Sequence, residues 1–232
     1  MRSNGIVVRG IGLAGIGLLL VGSYFGLFVA PPERHMGEVQ RILYVHVPVA
    51  WITMLVFTFS FGFAIASLWS GKEKWDNLLT GSIETGVVLC GLLQLQGMIW
   101  ARATWGVWWD WDVRLTTTLV LMLLFAGILA LRSFVPEPGR RATWSAIAAI
   151  VAYVDVPLVY FCVRWWRSLH QVQSSPDTMD PAMILPLRIN SFAVLAIAIW
   201  FTVRRAQIEE RQRRAEDVAP PEARVAEEVE IA

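Results

Sequence analysis

The chain has 232 residues, 56% of them hydrophobic and 17% charged, with a net charge of +1. A soluble domain of this length needs a more charged surface, and the near-neutral balance gives no sign of a nucleic-acid partner. Uncharged apolar runs of the roughly 20 residues that a bilayer crossing needs recur along the chain, so the expected class is an all-α, polytopic membrane protein with six spans.

The first predicted span covers residues 10–30. Its apolar stretch is long and it closes on Phe28-Val29-Ala30, without a small-x-small cleavage pattern, so it is expected to be retained. Gly22 and Gly26 sit four apart in it, a spacing that lets helices approach closely. The second span, 47–70, is free of charge. The third, 77–101, carries only Glu84, and the fourth, 115–131, is short and uncharged. The fifth, 142–163, carries only Asp155, and the sixth, 182–203, only Arg188. Charges inside a span are costly and functional by default. Glu84 is expected to meet a neighbouring helix or a partner subunit, and Arg188 to snorkel or to bind an anion. Residues 1–203 then form the membrane domain. Residues 204–232 form a tail that opens on RRAQIEERQRRAED, a candidate short helix, and ends in a Pro- and Glu-rich stretch expected to be disordered.

With six spans both termini share one side. Thirteen of the Lys and Arg residues fall on that side, and seven on the other. The positive-inside rule therefore places both termini in the cytoplasm. The seven outer residues, Arg34, Arg41, Arg102, Arg114, Arg164, Arg167 and Arg188, are a surplus that this rule does not explain. Cys90 and Cys162 lie inside spans and make no C-x-x-C pair, and the chain has no Walker A sequence and no internal repeat.

Three outer segments remain, 31–46, 102–114 and 164–181, and all three histidines (His35, His46 and His170) fall in them. The middle segment continues into WGVWWDWDVRLT over residues 105–116, with Trp105, Trp108, Trp109 and Trp111 in seven positions. An interfacial aromatic belt would account for some of these rings, but eight tryptophans on the outer side against four on the inner exceeds a balanced belt. On helical geometry Trp105, Trp108, Trp109 and Asp112 share a face, and Asp110 and Arg114 are spaced for an i,i+4 pair. A short surface helix would thus show an aromatic plane edged with charge. Such a plane suits a flat aromatic ligand that histidine and arginine can also hold. Haem meets each requirement, since its iron takes axial imidazoles and its propionates accept bidentate arginine bonds. His46 and His170, each near a junction of loop and span, are the best ligand pair. A solvated, hydrogen-bonded histidine is the plainer reading of either residue taken alone.

The run WGVWWDWDVRLT, with YVHVPVAW before the second span and WWRSLHQ after the fifth, resembles the tryptophan-rich WWD signature and the two histidine segments of the cytochrome c maturation protein C family. Three motifs in the same order, and the same six-span layout, carry this resemblance over nearly all of the chain. It implies a protein of the bacterial inner membrane that binds haem b as transported substrate on its periplasmic face. It implies His46 and His170 as axial ligands and Trp105, Trp108, Trp109, Trp111, Asp110, Asp112 and Arg114 as the platform. Arg164, Arg167 and Arg188 join Arg114 as candidates for the propionates. The implied partners are the ATPase and permease subunits of an ABC-type haem export complex, a small membrane subunit, membrane lipid, and a membrane-anchored haem chaperone that receives the haem covalently. Whether this chain catalyses that bond is left open. Two positions depart from the family pattern: Asp110 stands where neutral residues are expected, and Asp155 where an amide is expected. The competing readings are an electron-transfer membrane cytochrome, which would keep its histidines inside spans, and a permease subunit without haem.

Overall fold

The computed structural model describes residues 2–170 and 179–218. Among these residues there is no β-strand. The chain forms α1 (Arg2–Tyr24), α2 (Leu43–Ser70), α3 (Glu73–Trp105), α4 (Val113–Phe134), α5 (Pro138–Ala152), α6 (Asp155–Trp165) and α7 (Pro181–Val218). A π-helical turn, Phe25–Val29, closes α1, and a 3-10 turn, Glu38–Ile42, leads into α2. Six helical stretches are long and apolar enough to cross a membrane, with α5 and α6 together making the fifth.

Local chemistry explains most of the boundaries. Gly71 takes a left-handed conformation (φ 63°) that ends α2 in a tight turn, and Glu73 and Asp76 occupy the first turn of α3, where the helix dipole favours acid. The fifth span breaks at Tyr153 and Val154 because Pro157 has no N–H to give the Tyr153 carbonyl. The N–H of Val156 reaches that carbonyl instead, at 3.0 Å. Asp155 therefore starts a new helix rather than sitting mid-helix. It is buried, and its Oδ2 has no partner.

Pro48 creates the same vacancy in α2, but α2 runs on through it. The orphaned Tyr44 carbonyl accepts a 2.7 Å hydrogen bond from Nδ2 of Asn190 on α7. Backbone polar groups in an apolar setting must be satisfied somewhere, and here a neighbouring helix does it. Gly22 lies directly against Asn190, and Gly26 against the Tyr44 ring. The close approach read from the Gly22 and Gly26 spacing is thus present, shared between two helices rather than made to one.

The main apolar core lies between α2 and α6, with Phe57 and Phe125 stacked at 4.0 Å over Leu79, Ile83, Cys90 and Leu121. α1 packs chiefly along α7. At the end of the bundle that holds the termini, Arg132 makes a fork to Asp76 (2.8 and 3.2 Å) and also meets Glu209 (3.0 Å), while Arg213 closes on Asp76. These charges tie the far part of α7 to α3 and α4. The helix expected at the start of the tail is accordingly a continuation of the sixth span, unbroken from Pro181 to Val218. The stretch expected to be disordered, 219–232, lies outside the described residues. Glu84 pairs with Arg205 of α7, which settles its partner as a neighbouring helix of this chain. Cys90 and Cys162 are buried, free thiols.

Candidate functional site

At the opposite end of the bundle, three helices each turn one stripe toward a common cleft. On α2 the stripe is His46, Ala50 and Thr53; on α3 it is Leu93, Gly97 and Trp100; on α4 it is Arg114, Thr118 and Leu121. Each is an i, i+4, i+7 set, the spacing that puts residues on one helix face. Val159 of α6 and His170 of the following loop also line it, as do Trp51, Gln94 and Trp105. The cleft is open at its mouth, and its enclosed part holds about 110 Å³.

Both candidate ligands therefore reach one place. His46 sits in the first turn of α2 rather than ahead of the helix, and its Nδ1 is buried without a hydrogen-bond partner. Gly97 leaves room beside it: a Cβ there would lie 3.5 Å from the His46 Cε1. The His170 ring stands 6.1 Å from Trp100 and 6.5 Å from Trp105, and those two indoles meet edge to face at 5.2 Å. Two N–H groups of the lining, Nε1 of Trp100 and Nε of Arg114, are likewise buried without a partner. A buried donor left unpaired is costly, so this cluster is complementary to a ligand that brings acceptors. Among the described residues no group of three or more His, Cys, Asp or Glu side chains forms a metal-ion cage. Two imidazoles facing an apolar cleft suit a metal whose equatorial positions are already filled.

The tryptophan run is not a surface helix. α3 ends at Trp105, Gly106 takes the left-handed conformation (φ 79°), and the chain stays non-helical to Asp112. The glycine is the reason, because a left-handed residue after the last turn is a standard helix stop. The rings consequently divide. Trp105 faces the cleft, whereas Trp108 and Trp111 are 54% and 75% exposed, and Trp109 meets Trp111 at 84°. No single aromatic plane forms. Asp110 lies before the helix, so it makes no i,i+4 pair with Arg114, whose NH2 instead donates to the Tyr160 carbonyl at 3.3 Å.

Asp112 is buried and fully engaged. Its Oδ1 accepts the Arg114 N–H (2.9 Å), which caps α4, and the Ser168 hydroxyl (3.0 Å); its Oδ2 accepts the Leu169 N–H (2.7 Å). It joins two loops rather than presenting charge to a ligand.

The other outer arginines disperse. Arg41 donates to the carbonyls of Gly26 (2.7 Å) and Ala30 (2.9 Å) and pairs with Glu38. Arg102 bonds the Gly106 carbonyl, Arg164 lies over the rings of Tyr160 and Phe161, and Arg188 is exposed on α7. Arg167 lines a shallow groove with Asp110, Trp111 and Trp166. Only Arg114 of the seven lines the cleft. His35 is exposed in the turn from Glu33 to Gly37, outside it. The Glu33 carboxyl there accepts the N–H groups of Met36 and His35, which hold it below the usual carboxylate range.

Sequence reasoning overlooked Trp100, Gln94 and Gly97 as cleft residues. Their signal was the α3 stripe itself, which ends just over one turn before the tryptophan run and was hidden inside a long, mostly apolar helix.

The sequence pattern of heme exporter protein C matches residues 1–219. The chain belongs to that family. It is 34% identical over 197 residues to heme exporter protein C of Haemophilus influenzae, covering 83% of this chain and 80% of that one. It is 32% identical over 209 residues to heme exporter protein C of Bradyrhizobium diazoefficiens (85% and 77%), and 31% over 198 residues to that of Escherichia coli K12 (84% and 80%). In this member of the heme exporter protein C family the cleft lies at the end of the bundle remote from the described parts of both termini.

Proposed function

We propose that this chain binds haem b as cargo in the outward-facing cleft and passes it to a membrane-anchored haem chaperone for c-type cytochrome maturation. The observation that carries this reading is the meeting of His46 and His170, from segments far apart in the sequence, in one cleft with Trp100, Trp105 and Arg114. The two imidazoles are the axial ligands. Arg114 and the Trp100 N–H supply donors for the haem's carboxylates, and Trp105 covers part of the macrocycle. Haem brings the iron that the imidazoles bind; the chain's own residues orient it, shield one part of it and leave the edge at the mouth accessible. The exposed Trp108 and Trp111 stand at the membrane surface, where the chaperone arrives.

The family membership supports a place in an ABC-type haem export complex of the bacterial inner membrane, with ATPase and permease subunits and a small membrane subunit. The charge bias supports a cytoplasmic position for both termini and a periplasmic one for the cleft.

The test is the visible spectrum of the full chain purified in mild detergent, with haem added. The wild type should show a six-coordinate, low-spin spectrum. His46→Ala and His170→Ala should each lose or alter it, and the double variant should lose it. An unchanged spectrum in the double variant overturns the ligand assignment. Failure of haem to bind or to quench tryptophan fluorescence in any sample favours a permease subunit without haem.

A further inference from the structure

We propose that Asp112 and Ser168 form a positioning device for His170: the carboxylate of the WWD run sets the imidazole over the cleft through a relay of hydrogen bonds and does not itself touch haem. The inference rests on the reading of His170 as an iron ligand and adds the means by which the loop holds it there.

The geometry is that of a clip. Asp112 closes three hydrogen bonds, to the Arg114 N–H, the Ser168 hydroxyl and the Leu169 N–H, and it is 7% exposed. The Ser168 Oγ, having donated its one proton to Asp112, accepts the main-chain N–H of His170 at 3.0 Å, so the relay fixes the backbone that carries the imidazole. A hydroxyl has one proton and two lone pairs, so it can serve both bonds together. Residues Ser168–His170 belong to no helix or strand, so regular backbone pairing does not hold them. Asp112 and Ser168 tie this segment to the start of α4.

The Asp112 carboxylate also caps α4, whose second residue, Arg114, lines the cleft. One side chain therefore fixes the relative position of the guanidinium and the imidazole. This is chemically distinct from a platform role, in which the carboxylate would be spare. It is also distinct from a plain helix cap, which would need neither Ser168 nor Leu169. Outer partners that orient a metal-binding histidine alter metal affinity by roughly 10–100-fold when they are removed.

The variants Ser168→Ala, Ser168→Thr, Asp112→Asn and His170→Ala are compared in the full chain in mild detergent with haem added. Elution as a single species on size exclusion shows which of them fold. Ser168→Ala keeps the α4 cap and carries the test even if Asp112→Asn does not fold. The expected result is that Ser168→Ala and Asp112→Asn bind haem about 10–100-fold more weakly, with a shift from low-spin toward five-coordinate, high-spin absorption. Added imidazole should restore the low-spin spectrum, and Ser168→Thr should retain it. Low-spin haem at wild-type affinity in Ser168→Ala overturns the positioning role, as does a high-spin shift that imidazole does not repair. Should His170→Ala itself keep the wild-type spectrum, the ligand reading fails instead, a separate outcome.

Discussion

Gly97 shows how a single position can govern the cleft. It stands on the α3 stripe opposite His46, and a Cβ there would make an ordinary 3.5 Å contact with Cε1 of the imidazole. Gly97→Ala should therefore bind haem normally, whereas Gly97→Leu should fill the space beside the ring and abolish haem binding at unchanged protein yield. A haem titration followed by tryptophan quenching separates the two. Asp112 carries the complementary lesson. Its place after a tryptophan run and before an apolar helix reads as an N-cap, and Gly106 reads as a helix stop; both signals were present in WGVWWDWDVRLT. The helical-face reading of the run passed over them because the tryptophan spacing happens to match a helical period. The division of the four rings into one cleft member, one half-buried and two exposed follows from the glycine.

Among the elements, α2 owes its continuity to another helix. Pro48 leaves the Tyr44 carbonyl without its i+4 donor, and Asn190 of α7 provides one two residues before His46. Asn190→Ala should destabilise the protein by about 1–3 kcal/mol, the cost of a buried polar group left unpaired. Adding Pro48→Ala to that variant should recover part of the loss, because an alanine in place of the proline supplies the missing N–H. Thermal unfolding in detergent reads both, and equal losses in the single and the double variant would refute the account. The fifth span has the same defect at Pro157 without an external donor, and there the helix breaks instead. The presence of the two prolines was plain in the sequence. Which of them would bend its helix depended on whether a side chain 146 positions away along the chain stood opposite the orphaned carbonyl.

Across the whole molecule, the two ends of the bundle do different work. The end with the termini is held by Asp76, Arg132, Glu209 and Arg213, with the Asp76 and Arg132 side chains 2% and 7% exposed. Asp76→Ala would leave the buried Arg132 and Arg213 sharing Glu209 without the second carboxylate and should cost about 3 kcal/mol of stability. The network lies far from the cleft, so the haem spectrum of the surviving folded protein should be unchanged, and a changed spectrum would show that the two ends are coupled. Composition and apolar run length were enough for the all-α class, the six spans and the gathering of His46, His170 and the tryptophan run at one end, because burial in a bilayer writes itself into every residue of a span. Those signals are local. Contacts between residues far apart in the chain leave no such mark. The junction of His46 with His170, the choice of Arg114 from seven arginines, and the clasp of Asp112 on Ser168 and Leu169 arise from how six helices pack, and packing depends on side chains meeting across the bundle rather than on their order along it.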